Sequence, residues 1–154
     1  MPSENRFNVI DLHSLVWPSD VLIPTKRFRL FVAADIHATT VDAVSAFARA
    51  ALEKGMVYFC GWGPKCERFH DIVDEVILED DLGAKRFVGP DDSAFVMTTW
   101  HANDNLGEAL DFFARLAHPP GSFESGSDHW LAISIGNSEW ATLIRQILSH
   151  AEFL

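Results

Sequence analysis

Cys60, Cys66 and His70 fall within one short stretch, YFCGWGPKCERFHD (58–71), together with two glycines and a tryptophan. With His101 they form a set of thiol and imidazole groups of the kind that binds zinc, activates a nucleophile or makes a redox pair. Each of these chemistries has its own spacing. Cys66 and His70 stand four apart and would share a helix face. The Cys-x5-Cys spacing of Cys60 and Cys66 is wider than the two to four intervening residues common in structural zinc sites. Cys66 also precedes Phe69 and Val73 at helical intervals, where a free cysteine acts as a small buried hydrophobe. No metal is therefore expected, and zinc at Cys60, Cys66, His70 and His101 is the lesser reading.

A nucleophilic cysteine needs a lowered pKa and a base. Cys66, beside Lys65 in the first turn of a helix, has a setting of that kind, and His101 or His37 would be the base. The cysteine-phosphatase arrangement fails, because the arginine it needs six residues after its cysteine is replaced here by Cys66. The two cysteines do not make the CxxC of thioredoxin-like proteins. A Cys60–Cys66 disulfide in a reducing cytoplasm would be a switch rather than a staple. GWGP begins like a phosphate-cradling loop, but G-x-G-x-x-G fails at Cys66 and Pro64 removes an amide. DIHATT (35–40) contains no glycine, so a dinucleotide site of the usual kind is not expected. His70 reads better as an interface histidine than as a ligand. Trp62 and Trp100 either stack on a ligand or close the core. Asp80, Asp81, Asp91 and Asp92 read as solvated turn residues.

The elements that would position these residues alternate between strand and helix. RFRLFVAADI (27–36) is continuously apolar after Arg29, as a strand buried on both faces should be. Thr39 or Thr40 can cap a helix with Val44, Phe47, Ala48, Ala51 and Leu52 on its buried stripe, and Gly55 ends it. MVYFC (56–60) is a second strand. Pro64 suits the first position of a helix carrying Phe69, Ile72, Val73, Val76 and Ile77. A polar connection (78–93) follows, whose KRFV could add a short strand. SAFVMTTW (93–100) and HWLAISIGN (129–137) are further strands. Asn105 with Glu108 predicts a capped helix between them, and Ser138 is read as the cap of the last helix. Residues 1–26, interrupted by Pro18 and Pro24, read as an irregular arm packed on a single domain of 27–154.

The pattern predicts a three-layer α/β/α sandwich with a mainly parallel sheet of four strands, or five with KRFV, of flavodoxin/Rossmann-like type. Ligands in such sheets gather at the carboxyl ends of the strands, where strand order reverses. A 2-1-3-4 order of the four strands would bring Asp35, His37 and His101 to one crevice. Cys60, Trp62, Cys66 and Trp100 would lie nearby, completing the candidate set.

Composition narrows the partners. The formal net charge of −10 argues against nucleic acid and against anionic membranes, both of which need a basic surface. The N-terminus lacks the pattern of a signal peptide, no run reaches the roughly 20 apolar residues of a membrane span, and two cysteines are too few for a secreted scaffold. A cytoplasmic setting is the expectation. The segments YFCGWGPKCERFHDIVDE and FVMTTWH, followed by a helix rich in Leu, Ala and Phe, are similar to a family of small bacterial proteins of unknown function. The resemblance covers about residues 27–118; it implies a single-domain bacterial protein and no activity. Two readings follow: a binding or regulatory module acting on a protein partner or small ligand, and a small hydrolase or transferase using the Cys/His/Asp crevice. The first predicts an apolar patch near Trp17 and the arm.

Overall fold

The computed structural model describes residues 6–82 and 94–151, without the side chains of 80–82 and 151. Five strands alternate with four helices: β1 (Phe7–Leu12), β2 (Phe28–Ala33), α1 (Val41–Glu53), β3 (Met56–Trp62), α2 (Cys66–Leu82), β4 (Met97–Trp100), α3 (Leu106–Arg115), β5 (Trp130–Ile135) and α4 (Ser138–Ala151). All strands pair in parallel, in the order β1-β5-β2-β3-β4, with helices on both faces in a flavodoxin-like arrangement.

Both faces of the central strands are apolar, and each is covered. Phe28, Leu30 and Val32 of β2, with Leu131 and Ile133 of β5, pack against α1 and α2. Phe31 and Ala33, with Trp130 and Ala132, pack against α3 and α4. The local stop and start signals hold in most places. Thr40 caps α1 through its hydroxyl, which accepts from the Ala43 amide at 3.1 Å. Asn105 and Glu108 close a reciprocal capping box at α3.

The structure corrects several boundaries. The segment 1–26, expected as an irregular arm, contains β1. FNVIDL puts apolar side chains on both of its faces, so no alternation marks it, and its partner β5 lies almost at the other end of the sequence. α2 continues to Leu82, into the segment expected as a connection. Pro64 is not the first residue of α2. It is the second residue of a turn, Gly63 to Cys66, closed by the Cys66 amide on the Gly63 carbonyl at 3.1 Å. The cap of α4 is Asn137, whose side-chain oxygen accepts from the Trp140 amide, rather than Ser138. KRFV and the Asp91–Asp92 pair lie outside the described residues, as do the side chains of Asp80 and Asp81.

Strand order is the correction that matters for function. β4 lies beyond β3, and the place expected for it beside β2 is taken by β5. The chain runs β2-β3-β4 with its crossovers on the first face, then α3 carries it back across the second face and β5 inserts between β1 and β2. β3 therefore leaves toward α2 on one face and β4 toward α3 on the other. Their carboxyl ends part around a crevice, the place where doubly wound sheets hold ligands.

Candidate functional site

That crevice is a cavity of about 720 Å³. Its floor comes from β3 and β4, one wall from the turn before α2, and its rim from the loop after β2. Of the candidates read from the sequence, His37, Trp62, Cys66 and His101 line it. Lys65, Arg68 and Asp104 line it too. Asp35 reaches it only through His37, Cys60 lies buried within the sheet, and Trp100 turns outward over His70.

The turn that shapes one wall is conformationally demanding. Gly63 has φ 116° and Lys65 has φ 66°. Proline second and a positive φ third fit a type II turn, where glycine or asparagine usually takes the third place. A lysine there carries about 1–2 kcal/mol of backbone strain. The turn is stitched to the end of β2, with the Ala34 amide donating to the Trp62 carbonyl at 3.0 Å and Ile36 to Pro64 at 3.4 Å. Arg68, one turn into α2, donates to the carbonyls of Ile36 at 3.1 Å and Thr39 at 3.0 Å. Its fork is used, but its charge stays beside the crevice.

His101 is buried and held at both ring nitrogens. Nδ1 lies 3.0 Å from the Asp104 carboxylate and Nε2 lies 3.0 Å from the Thr99 hydroxyl. A carboxylate on Nδ1 fixes that nitrogen as the donor, which leaves Nε2 to accept from Thr99. The result is a carboxylate–imidazole–hydroxyl line at the end of β4. Trp62 closes the adjoining side, donating its indole N–H to the Asp104 carbonyl at 2.9 Å and meeting Trp140 edge to face at 5.1 Å. His37 pairs with Asp35 at 2.8 Å in the open. Hydrogen bonds from the His37 ring and then its amide hold the Asp35 carboxyl below its ordinary range.

The cysteines are poor nucleophiles. Both are free and buried. Burial pushes the Cys60 thiol up to about 12, against a smaller opposing hydrogen bond with Thr99. Burial also raises Cys66, although amides of His101, Cys66 and Gly63 oppose it. At neutral pH neither presents an appreciable thiolate, so the cysteine-based form of the enzyme reading lacks its reagent. His70 sits between Asp71 (2.9 Å) and Asp74 (3.4 Å), its ring 4.4 Å from that of Trp100. Among the described residues no three His, Cys, Asp or Glu side chains come together as metal ligands, so Cys60, Cys66, His70 and His101 do not assemble the zinc site considered from their types.

Two residues of the site are absent from the candidates read from the sequence: Arg68, outside the apolar stripe of its helix, and Thr99, within the strand SAFVMTTW. The signal for Thr99 was its place two residues before His101, since strand residues at that interval share a face. His129 is a different case. It is 3% exposed, and among the described residues neither ring nitrogen has a partner. Burial lowers its pKa from the ordinary 6.5. The unfolded chain then binds the proton more readily, so His129 lets stability fall as pH drops below about 6.5, and the loss stops below its folded pKa. His129→Leu should remove this part of the acid slope and stabilise the fold by about 1–3 kcal/mol, the usual cost of an unpaired buried polar group. Urea unfolding at several pH values between 5 and 8 checks both.

Among the described residues no helix is long and apolar enough to cross a membrane. No curated protein matches the chain, and no solved structure does. A family model matches residues 12–151, nearly the whole length, and the chain belongs to that family, a domain of unknown function (DUF7684).

Proposed function

We propose that the chain is a binding module whose crevice between β3 and β4 takes a small polar ligand bearing an anionic group, a carboxylate or a phosphate. One observation carries this reading. In a chain of net charge −10, Lys65 and Arg68 converge on one cavity, and Lys65 does so from a strained backbone. The dipole of α2, whose first turn forms that wall, adds to the attraction. Three carboxylates line the crevice as well: Asp71 pairs with His70 and Asp104 with His101, while Glu67 stands exposed in the first turn of α2. The acidic charge and the two reduced thiols suit a bacterial cytoplasm and argue against nucleic acid as the ligand.

Calorimetric titration with pyrophosphate at low salt tests the proposal. Saturable binding is expected, and Lys65→Gly should weaken it ten-fold or more while leaving stability equal or higher, because glycine relieves the positive φ. No binding at millimolar pyrophosphate would end this reading. A hydrolytic reading, with Thr99 as nucleophile and His101 as base, is favoured only by the Asp104–His101–Thr99 line. Turnover of a p-nitrophenyl ester that disappears with His101→Ala would put it first.

A further inference from the structure

The opposite edge of the sheet carries a different surface. β1 is an edge strand, paired only with β5 among the described residues. Trp130 donates to the Arg6 carbonyl and Gly136 to the Leu12 carbonyl, each at 2.7 Å. In a parallel ladder that phase turns the even-numbered backbone groups of β1 toward β5. The N–H and C=O groups of Phe7, Val9 and Asp11 therefore point away from the sheet. Beside this edge run two adjoining cavities of about 460 and 450 Å³, which share Asn8 and Leu22. Ile10, Leu12 and Val21 line one of them; Phe7, Pro24 and the unpaired His129 line the other. Leu22 is 85% exposed and Val16, next to Trp17, is 67% exposed. These are large apolar side chains that no described residue covers.

We infer that the β1 edge and its groove dock an extended segment of a partner protein, added as a sixth strand, in which apolar residues alternate with lysine or arginine. The extended backbone follows from the outward row of donors and acceptors, which only another strand can satisfy in full. The apolar alternation follows from the groove, because every second side chain of an added strand lies over it. The basic character follows from charge: Asp20 lines the groove, Asp11 stands exposed on the strand, and the whole chain carries −10. This surface is independent of the crevice between β3 and β4.

A fluorescein-labelled peptide of alternating lysine and valine, titrated by anisotropy in moderate salt, is the probe. Saturable binding is expected. The same peptide N-methylated on alternate backbone amides should bind at least ten-fold more weakly. Val9→Pro removes one outward N–H and leaves the bonds to β5 in place, and it should weaken binding similarly; Leu22→Gln, at a largely exposed position where it removes apolar surface without adding charge, should also weaken it if the first variant fails to fold. Three results would each overturn the inference: no binding, equal binding of the N-methylated peptide (which would mean charge alone), and a concentration-dependent dimer abolished by Val9→Pro or Leu22→Gln, which would make a second copy of the chain the occupant.

Discussion

Replacing Gly63 by alanine is expected to destabilise the protein by about 2–5 kcal/mol, which for a domain of this size is a large share of its stability. A Cβ there would sit 2.2 Å from the Ala34 carbonyl oxygen, on a backbone with φ 116°. Left-handed backbone costs an alanine about 1–2 kcal/mol, and relieving a clash with main chain adds about 1–3. Neither can relax cheaply, because the Ala34–Trp62 and Ile36–Pro64 hydrogen bonds hold both strands of backbone. Whatever moves also moves Lys65 and the loop of His37, so crevice binding should fall with stability. Gly61→Ala is the control. Its added Cβ would crowd the Phe59 ring at 3.1 Å and meet the Cys66 carbonyl oxygen at an ordinary 3.7 Å, without positive φ, so its effect should be much smaller. Urea denaturation of both variants, with pyrophosphate titration of any that fold, checks the pair.

Arg29→Met should cost a similar amount, about 3–5 kcal/mol, because it leaves several buried acceptors without their donor. Arg29 is 2% exposed, in the central strand. Its guanidinium donates to the Ser127 carbonyl at 3.1 Å, the Ala117 carbonyl at 2.9 Å and the Ser127 hydroxyl at 3.1 Å. It also donates to His118 Nδ1 at 3.1 Å, while His118 Nε2 bonds the Arg115 carbonyl, and it lies 4.3 Å from the centre of the Trp130 ring. Burial lowers its pKa, and Asp128 and Glu124 pull the other way. Methionine fills much of the volume and satisfies none of those acceptors. Arg29→Lys should recover only part of the loss, because an ammonium cannot reproduce the planar fork. Hydrogen exchange should show the first loosening in the segment from 117 to 127, which the guanidinium ties to the sheet.

These two residues also show how far the sequence could be read. Strands flush with apolar residues, helices with a clear stripe, one capping pair and one threonine cap announced a doubly wound sheet, because those signals are local and redundant. β1 was missed because both its faces are apolar and its partner is remote in sequence. The 2-1-3-4 order failed for the same reason: without β1 there is no slot between it and β2 for β5 to fill. Arg29 looked like the charged flank of a strand, since nothing local says that its acceptors lie in a loop almost a hundred residues away. At the crevice, the rule that ligands gather at strand ends was applied to β2 and β4, which the observed strand order does not place side by side. His37, Trp62, Cys66 and His101 meet there even so, because the turn before α2 leans back onto the end of β2. The cysteines drew attention by type, and burial then removed their chemistry. The family match supports the reading of a domain without an assigned activity, and it extends beyond both ends of the segment from 27 to 118 that carried the resemblance.

The insertion of β5 between β1 and β2 has a consequence for biosynthesis. Phe7 pairs with Trp130 and Leu12 with Ile135, so β1 leaves the ribosome well before β5, its partner among the described residues. β2, β3 and β4 can associate in order as they emerge, each joined to the next by a helix. β1 must wait through their whole synthesis for β5. The described sheet is then completed by β5 rather than begun by β1, and a ribosome stalled anywhere before Trp130 would hold a nascent chain whose β1 is free to pair with the wrong neighbour.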